Sequence, residues 1–327
     1  MIVVTGGAGF IGSNLVAALA ARGEEVAVVD RLGSDERWRN LAKHEVAALV
    51  APEAMLEYLE GLASAPRAIC HLGAISATTE IDVDRLVACN VNPTLALWRY
   101  CAARRVPFLY ASSAATYGDG AAGFEDEFGM AALSRLRPLN AYAWSKHVVD
   151  RRLARLVEQG AATPPQWLGL KFFNVFGANE YHKGEMRSVV CKAFEAVARG
   201  EPVRLFRSHR NDIPDGGQAR DFVYVEDCVA VMLWALDNPG ISGLFNLGSG
   251  RARSFAELAA ALFAALRRPA EIEFVDTPIE LRARYQFFTQ APMHRLRAAG
   301  YDKPFAVLEP AVRDYVDRYL VAQDRYR

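Results

Sequence analysis

The 327-residue chain has no surplus of either charge: 38 Lys and Arg stand against 38 Asp and Glu. That balance excludes a strongly basic nucleic-acid binder. A hydrophobic content of 52% excludes a disordered chain and fits a globular protein with one large or two modest cores. No run of 18 apolar residues occurs, so no membrane-spanning helix and no membrane partner is expected. No charged leader precedes Ile2-Val3-Val4, so a cytoplasmic rather than a secreted protein is expected. Cysteine is scarce and scattered (Cys70, Cys89, Cys101, Cys191, Cys228), without a CxxC pair. Such spacing reads as buried thiols in a reducing compartment, and it offers neither a disulfide frame nor a zinc site. Lysine is scarcer than arginine: only Lys43, Lys146, Lys171, Lys183, Lys192 and Lys303 occur. Arginine cannot give up its proton and lysine can, so each lysine is a candidate for chemistry, although most surface lysines do none.

What is abundant is alternation. Ile2-Val3-Val4, Glu25 to Asp30, Ala68 to Leu72, Pro107 to Ala111 and Leu168 to Phe173 read as short buried strands. Helical spacing over 10–22, 85–105 and 141–158 separates them. Strand and helix in repetition predict an α/β fold, a doubly wound parallel sheet with helices on both faces. Further on, the pattern predicts a helix over 185–199, a strand over 221–225, a helix over 227–237, a strand over 244–248 and a helix over 254–267. We expect a large domain from 1–177 plus 221–249, with the 221–248 piece returning to the large sheet. A smaller substrate domain is expected from 178–220 plus 250–327.

Thr5-Gly6-Gly7-Ala8-Gly9-Phe10-Ile11-Gly12 lies between the first strand and first helix. A dinucleotide pyrophosphate needs close backbone approach and the positive end of a helix. Side chains at Gly7 and Gly9 would obstruct that approach, and Gly12 lets the helix press on the sheet. Asp30 closes the second strand, where a ribose-reading residue belongs. As an acceptor it suits the free 2′-hydroxyl of NAD. Arg31, Arg37 and Arg39 suit the 2′-phosphate of NADP. The two cofactors stay open on this reading, with a lean to NADP.

Tyr142 and Lys146 are four apart on a predicted helix and share a face. A phenol of pKa near 10 is a poor base at neutral pH, and a nearby ammonium together with an oxidised nicotinamide lowers that pKa. Such a tyrosine can take a proton from an alcohol. Ser112 and Ser113 follow the predicted strand Pro107 to Ala111 at its carboxyl end, on the side where a doubly wound sheet binds ligands. Ser113 is the candidate hydrogen-bond partner of the reacting oxygen.

Together these features resemble the extended short-chain dehydrogenase/reductase superfamily. Closer similarity is to one of its families, ADP-glyceromanno-heptose 6-epimerase. Arg220 to Asp227 adds a further superfamily motif, while the closer match is carried by Leu109 to Gly118, by Phe173-Asn174-Val175-Phe176-Gly177 leading to His182-Lys183-Gly184, by Tyr285-Gln286-Phe287-Phe288-Thr289-Gln290 and by Leu296 to Phe305. The resemblance implies a Rossmann-type sheet, tightly bound NADP and an ADP-heptose substrate of lipopolysaccharide precursor synthesis. It implies that a hydride leaves C6″, a 6-ketone forms, and the hydride returns to the other face. It assigns the two acid/base groups this needs to Tyr142 and Lys183, with Ser113 and Lys146 assisting. It places Gly6, Gly7, Gly9, Phe10, Ile11, Gly12, Asp30, Arg31, Arg37, Leu72, Gly73, Ala74, Ser76, Asn90, Lys146, Val175 and His182 around the cofactor. It places Ser113, Asn174, Phe206, Arg220 and Tyr285 around the substrate, with Glu185 and Lys192 at substrate positions where other residues are usual. A homo-oligomer is also expected.

Three features depart from the family pattern. Glu185 would repel a diphosphate unless it points away. The loop from Ser208 to Ala219 is longer than usual. The segment Ala47-Ala48-Leu49-Val50 lacks an acidic residue that often reads adenine. One rival reading is a nucleotide-sugar 4-epimerase or dehydratase. Ser113-Ala114-Ala115 lacks the carboxylate a dehydratase needs, and a 4-epimerase has no evident use for His182-Lys183-Gly184. A second rival is a non-catalytic nicotinamide-binding regulator, which leaves Tyr142, Lys146 and Ser113 unexplained. Arg220 could instead be a structural ion-pair partner of Asp221, and His71 and His147 read as packing histidines.

Overall fold

In a computed structural model the described residues are 1–282 and 286–327. The strands in chain order are β1 (Ile2–Thr5), β2 (Val26–Val29), β3 (Ala48–Val50), β4 (Ala68–His71), β5 (Phe108–Ser113), β6 (Trp167–Phe172), β7 (Asn174–Phe176), β8 (Val203–Phe206), β9 (Ala219–Tyr224), β10 (Gly243–Leu247), β11 (Ala252–Ser254) and β12 (Ile272–Val275). Among the described residues, seven form one sheet in the order β10-β6-β5-β4-β1-β2-β3, with every pairing parallel. β1, β2 and β4 are buried along their whole length. That is why they read as apolar runs and not as alternating strands: helices cover both faces.

The main helices are α1 (Phe10–Ala21), α2 (Met55–Gly61), α3 (Asn92–Arg104), α4 (Ala141–Glu158), α5 (Val189–Ala198), α6 (Val225–Asp237), α7 (Phe255–Ala265) and α8 (Leu308–Tyr315). The pleat sends Ile2 and Val4 to one core, with Leu15 of α1 and Val231 of α6. It sends Val3 to the other, with Leu97 and Trp98 of α3 and Leu153 of α4. Replacing a fully buried leucine such as Leu15 by alanine costs about 2–5 kcal/mol. A third core joins α5, α7 and α8 to β8 and β9.

The strand expected near 221–225 is present, but it does not enter the large sheet. β9 pairs instead with β7 and β11 in a three-stranded sheet, and only β10 returns to the edge beside β6. The chain leaves the large sheet after Phe172, and β7 then forms a separate ledge for β9. The helix expected over 185–199 starts later, at Val189. Gly184, at φ +53°, breaks the preceding 3₁₀ turn Tyr181–Met186, and Ser188 caps the helix through the Cys191 amide. The helix expected over 85–105 is broken by a wide turn at Val87–Val91, just before Pro93 of α3. Asn140 caps α4 by accepting from the Ala143 amide. No helix among the described residues is long and apolar enough to cross a membrane.

Candidate active site

The strand order reverses at β1, and the loops after β1 and β4 meet there. Gly6 has φ +68°, and a Cβ on it would lie 2.6 Å from the Gly73 nitrogen. A Cβ on Gly12 would lie 2.0 Å from the Gly6 carbonyl oxygen, so this glycine seats α1 on the loop. The expectation for Gly7 needs refinement: its Cβ would strike the Val28 side chain at 2.8 Å, so packing on β2 already requires glycine there. Gly9 is the N-cap of α1, which has no side-chain cap and no acidic residue in its first turn. That bare amide end, with Phe10 and Ile11 as its first residues, fits a pyrophosphate. Thr5 Oγ1 takes the Gly73 amide at 3.1 Å and bonds His71 Nδ1 at 2.6 Å, and His71 Nε2 meets Thr94 Oγ1 at 2.9 Å. Burial pushes His71 down to about 3, so it is a neutral packing histidine, as read from the sequence.

Asp30 turns toward the loop. Its carboxylate accepts the Ala8 amide at 2.9 Å and the Arg31 amide at 2.7 Å, and burial raises its pKa despite these bonds. Arg31 pairs with Glu53. Arg37 lies 3.9 Å from Asp30 and 3.2 Å from Asp35, while its buried Nε has no partner. Asn40, at the end of the same 3₁₀ turn Glu36–Asn40, donates to the Ala8 carbonyl at 2.8 Å and meets His182 Nδ1 at 3.3 Å. Burial, with the Arg37 charge next, pushes His182 down to about 4.

Ser113 ends β5 level with Phe172 of β6. Its hydroxyl faces Tyr142, the second residue of α4. That hydroxyl lowers the Tyr142 pKa, but burial outweighs it and the net shift is upward. Lys146 donates to the Ala111 carbonyl at 2.8 Å, and burial pushes it down to about 8 against the pull of Asp150. The lowered phenol expected from the Tyr142–Lys146 spacing is therefore not a property of the protein alone, because both groups are taken out of water together.

A cleft of about 1090 Å³ opens at Phe173, the residue after β6; Ser113, Tyr142 and Lys146 are not among the residues that line it. Asn174, Val175, Lys183, Glu185, Lys192, Phe206 and Arg220 all line it, from both the sheet side and the smaller core. Lys183 holds its ammonium 5.2 Å from the centre of the Phe10 ring, which puts it over the nucleotide loop. Burial lowers its pKa and buried Glu180 raises it. Glu185 is 93% exposed and lies 3.8 Å from Lys192, whose ammonium also takes the Glu185 carbonyl at 3.1 Å. The carboxylate is thus counterbalanced and turned outward. Arg220 donates to the carbonyls of Ala219 and Gln286 and lies 5.6 Å from the Phe255 ring. Asp221 is held instead by the amides of Ser249, Gly250 and Ala291 and by the Ser249 hydroxyl. The long loop is folded onto Phe287, with His209 and Arg210 against its ring at 4.6 and 5.2 Å.

Not every expected residue reaches an open surface. Asn90 is fully buried, bonding Ile75 through both amide atoms and Ser145 at 3.0 Å. It fixes the segment Leu72-Gly73-Ala74-Ile75-Ser76 against α4. Tyr285 lies outside the described residues. Sequence reasoning passed over Asp150, Thr116 and Glu180, and counted Lys171 among the scarce lysines and as a member of a strand without assigning it a role. One signal was present: a rare lysine inside the apolar run Leu168 to Phe173 must have a buried partner.

The family model described as the NAD dependent epimerase/dehydratase family matches residues 2–248. An ADP-L-glycero-D-manno-heptose-6-epimerase of Nitratidesulfovibrio vulgaris is 47% identical over 330 residues, covering 99% of each chain. One from Fusobacterium nucleatum is 41% identical over the full length of both. Among solved structures, the Helicobacter pylori ADP-L-glycero-D-manno-heptose-6-epimerase superposes with a TM-score of 0.78 at 27% identity, over 97% of this chain and 94% of that one. The Thermus thermophilus UDP-glucose 4-epimerase, in complex with NAD, gives 0.74 at 27% identity over 97% of each.

Proposed function

Because this chain belongs to the ADP-L-glycero-D-manno-heptose-6-epimerase family, within the NAD dependent epimerase/dehydratase family, we propose that it inverts C6″ of an ADP-activated glycero-manno-heptose through a transient 6-ketone. The observation that carries this reading is a second half-buried proton-bearing group on a separate element: Lys183 lines the cleft over Phe10 of the glycine loop, in addition to Tyr142 beside Ser113. Each epimer needs a proton moved at its carbinol oxygen, and two acid/base groups in different positions fit that demand.

A nicotinamide dinucleotide, when bound, accepts the C6″ hydride and returns it. The chain supplies the rest. Gly6, Gly7, Gly9, Phe10, Ile11 and Gly12 hold the pyrophosphate end, and Leu72, Gly73, Ala74, Ser76 and Val175 pass alongside. Tyr142 removes or restores the hydroxyl proton for one epimer and Lys183 for the other. Ser113 orients the oxygen, and Lys146 adds positive charge beside the phenol. Asn174, Phe206 and Arg220 hold the sugar nucleotide, with the Arg220 guanidinium suited to its diphosphate. Glu185 and Lys192 close the outer wall as a mutual pair.

The cofactor reading is NADP. Asp30 is engaged by the loop amides, and the unpartnered Arg37 Nε beside neutral His182 leaves a donor for a 2′-phosphate. A homo-oligomer is supported by exposed Ile81, Val83 and Trp144 around the start of α4, and light scattering tests it.

The deciding experiment offers the protein a panel of ADP- and UDP-sugars and reads the changed stereocentre by NMR. Inversion at C6″ of ADP-heptose is expected; inversion only at C4 of a UDP-hexose would overturn the substrate. Mass spectrometry of released nucleotide is expected to find NADP, and NAD alone would overturn the cofactor reading.

A further inference from the structure

Beneath the cleft lies a charge pair that the scheme above does not use. Lys171 of β6 and Asp150 of α4 are both fully buried, with Nζ 2.9 Å from Oδ2. Asp150 also accepts from Ser112 Oγ at 2.7 Å and from the Tyr110 hydroxyl at 3.2 Å, both on β5. Lys171 donates to Thr116 Oγ1 at 2.5 Å and lies 4.8 Å from the centre of the Tyr117 ring. Thr116 Oγ1 in turn donates to the Ser113 carbonyl at 2.7 Å. One pair thus ties together β5, which ends in Ser113, the helix α4 that carries Tyr142 and Lys146, and β6, which leads to Phe173 and Asn174.

We propose that the Lys171–Asp150 pair is a positioning element of the epimerisation, bolting β5, β6 and α4 into one geometry and giving Lys146 its buried counter-charge. For fold stability alone, two packed apolar residues would serve as well or better, because desolvating an ion pair offsets most of its attraction. A pair retained one helical turn from Lys146 does something apolar residues cannot. It puts a fixed negative charge where an ammonium would otherwise shed its proton. The groups facing Asp150 are Tyr110 and Ser112 from β5, Tyr117 from the following turn, Lys171 from β6, and Lys146 and His147 from α4.

The inference rests on the proposed epimerase reading, so its test has one arm that needs no sugar. The variant K171M/D150N removes both charges, while the amide it leaves in place of the carboxylate still accepts from one of Ser112 and Tyr110 through its oxygen and donates to the other's hydroxyl oxygen through its nitrogen. D150N alone strands a buried ammonium and serves only for comparison. Melting temperature first establishes that the double variant folds. Turnover is then expected to fall roughly tenfold to a hundredfold with KM little changed, as small misplacements of reacting groups do. The alkaline limb of the kcat profile is expected to move to lower pH, because Lys146 loses the charge that holds its proton. In the second arm, side-chain NMR follows the Lys146 titration in unmodified and variant protein, which six lysines make tractable. A lower midpoint in the variant is expected. A folded double variant with native kcat and pH profile overturns the proposal, and so does an unchanged Lys146 midpoint. Absence of turnover by the unmodified protein would sink the epimerase reading while the titration still judged the pair.

Discussion

Tyr142 and Lys183 are both half-buried, and partial loss of water disfavours the charged form of each before any ligand arrives. For the lysine this is useful, since a depressed ammonium exchanges protons nearer neutrality; for the phenol it is a handicap that a bound cationic ring and Lys146 must offset. Tyr142→Phe and Lys183→Ala are each expected to lower turnover by about 10²–10⁴-fold while the protein still captures nicotinamide dinucleotide. NMR of the sugar and absorbance of the bound nucleotide check the two halves separately, and native turnover in both variants would refute the two-group scheme. Histidine burial carries a second consequence. His71, His147 and His182 are pushed down to about 3, 4 and 4, below their unfolded value. Groups depressed in this way stabilise the fold above the unfolded pKa near 6.5, and that contribution is lost as pH falls toward 4. Asp227, pushed up to about 6, works in the opposite sense: its contribution is present at low pH and lost as pH rises through 6. Urea midpoints at pH 7 and pH 5 are expected to show lower stability at pH 5. His71→Asn should flatten that difference, and an undiminished slope would rule His71 out as a contributor.

At the level of elements, α1 and α4 carry most of the site. Gly12 touches the Gly6 carbonyl so closely that no side chain fits. Gly12→Ala is expected to abolish nicotinamide capture, because α1 must lift off the loop; retained binding by equilibrium dialysis would contradict this packing. Asn140→Ala removes the α4 cap next to Tyr142 and is expected to cost about 1 kcal/mol in a denaturant titration. The long regular elements were legible in the sequence. The span expected for α4, 141–158, is the span observed, because its apolar positions recur at helical spacing behind a capping asparagine. β3, β7, β8, β11 and β12 were not legible: each is short and, unlike the similarly short β1, β2 and β4, is not buried along its whole length, so it shows neither an apolar run nor enough positions for a period. The split of the 85–105 helix was signalled only by Pro93, which marks a candidate break but not the wide turn before it.

For the whole molecule, catalysis by internal hydride return predicts that no solvent hydrogen enters C6″. Turnover in D₂O is expected to leave that position unlabelled by NMR; deuterium there would indicate carbanion chemistry instead. How the two halves meet was the least legible feature. Motifs identified the glycine loop, Tyr142 and Lys183 one by one. Their convergence depends on chain crossings between residues far apart in sequence, such as Asn14 donating to the Ala178 carbonyl at 2.9 Å. Spacing cannot register such crossings, and only the family resemblance supplied them. The displacement of β9 from the large sheet was hidden for the same reason: an apolar strand reads alike whichever sheet receives it.

Asn40 has a consequence for how such a protein could change over time. It stands three residues beyond Arg37, and a single amide grips both Ala8 and the ring next to Lys183. On the roles proposed for Arg37 and Lys183, coenzyme taste and turnover become traits inherited together. Mutations that retune this short stretch from one pyridine nucleotide toward the other would then also disturb the lysine next to His182. A lineage, or an engineer, switching coenzyme here would have to repair the rate in the same round of selection.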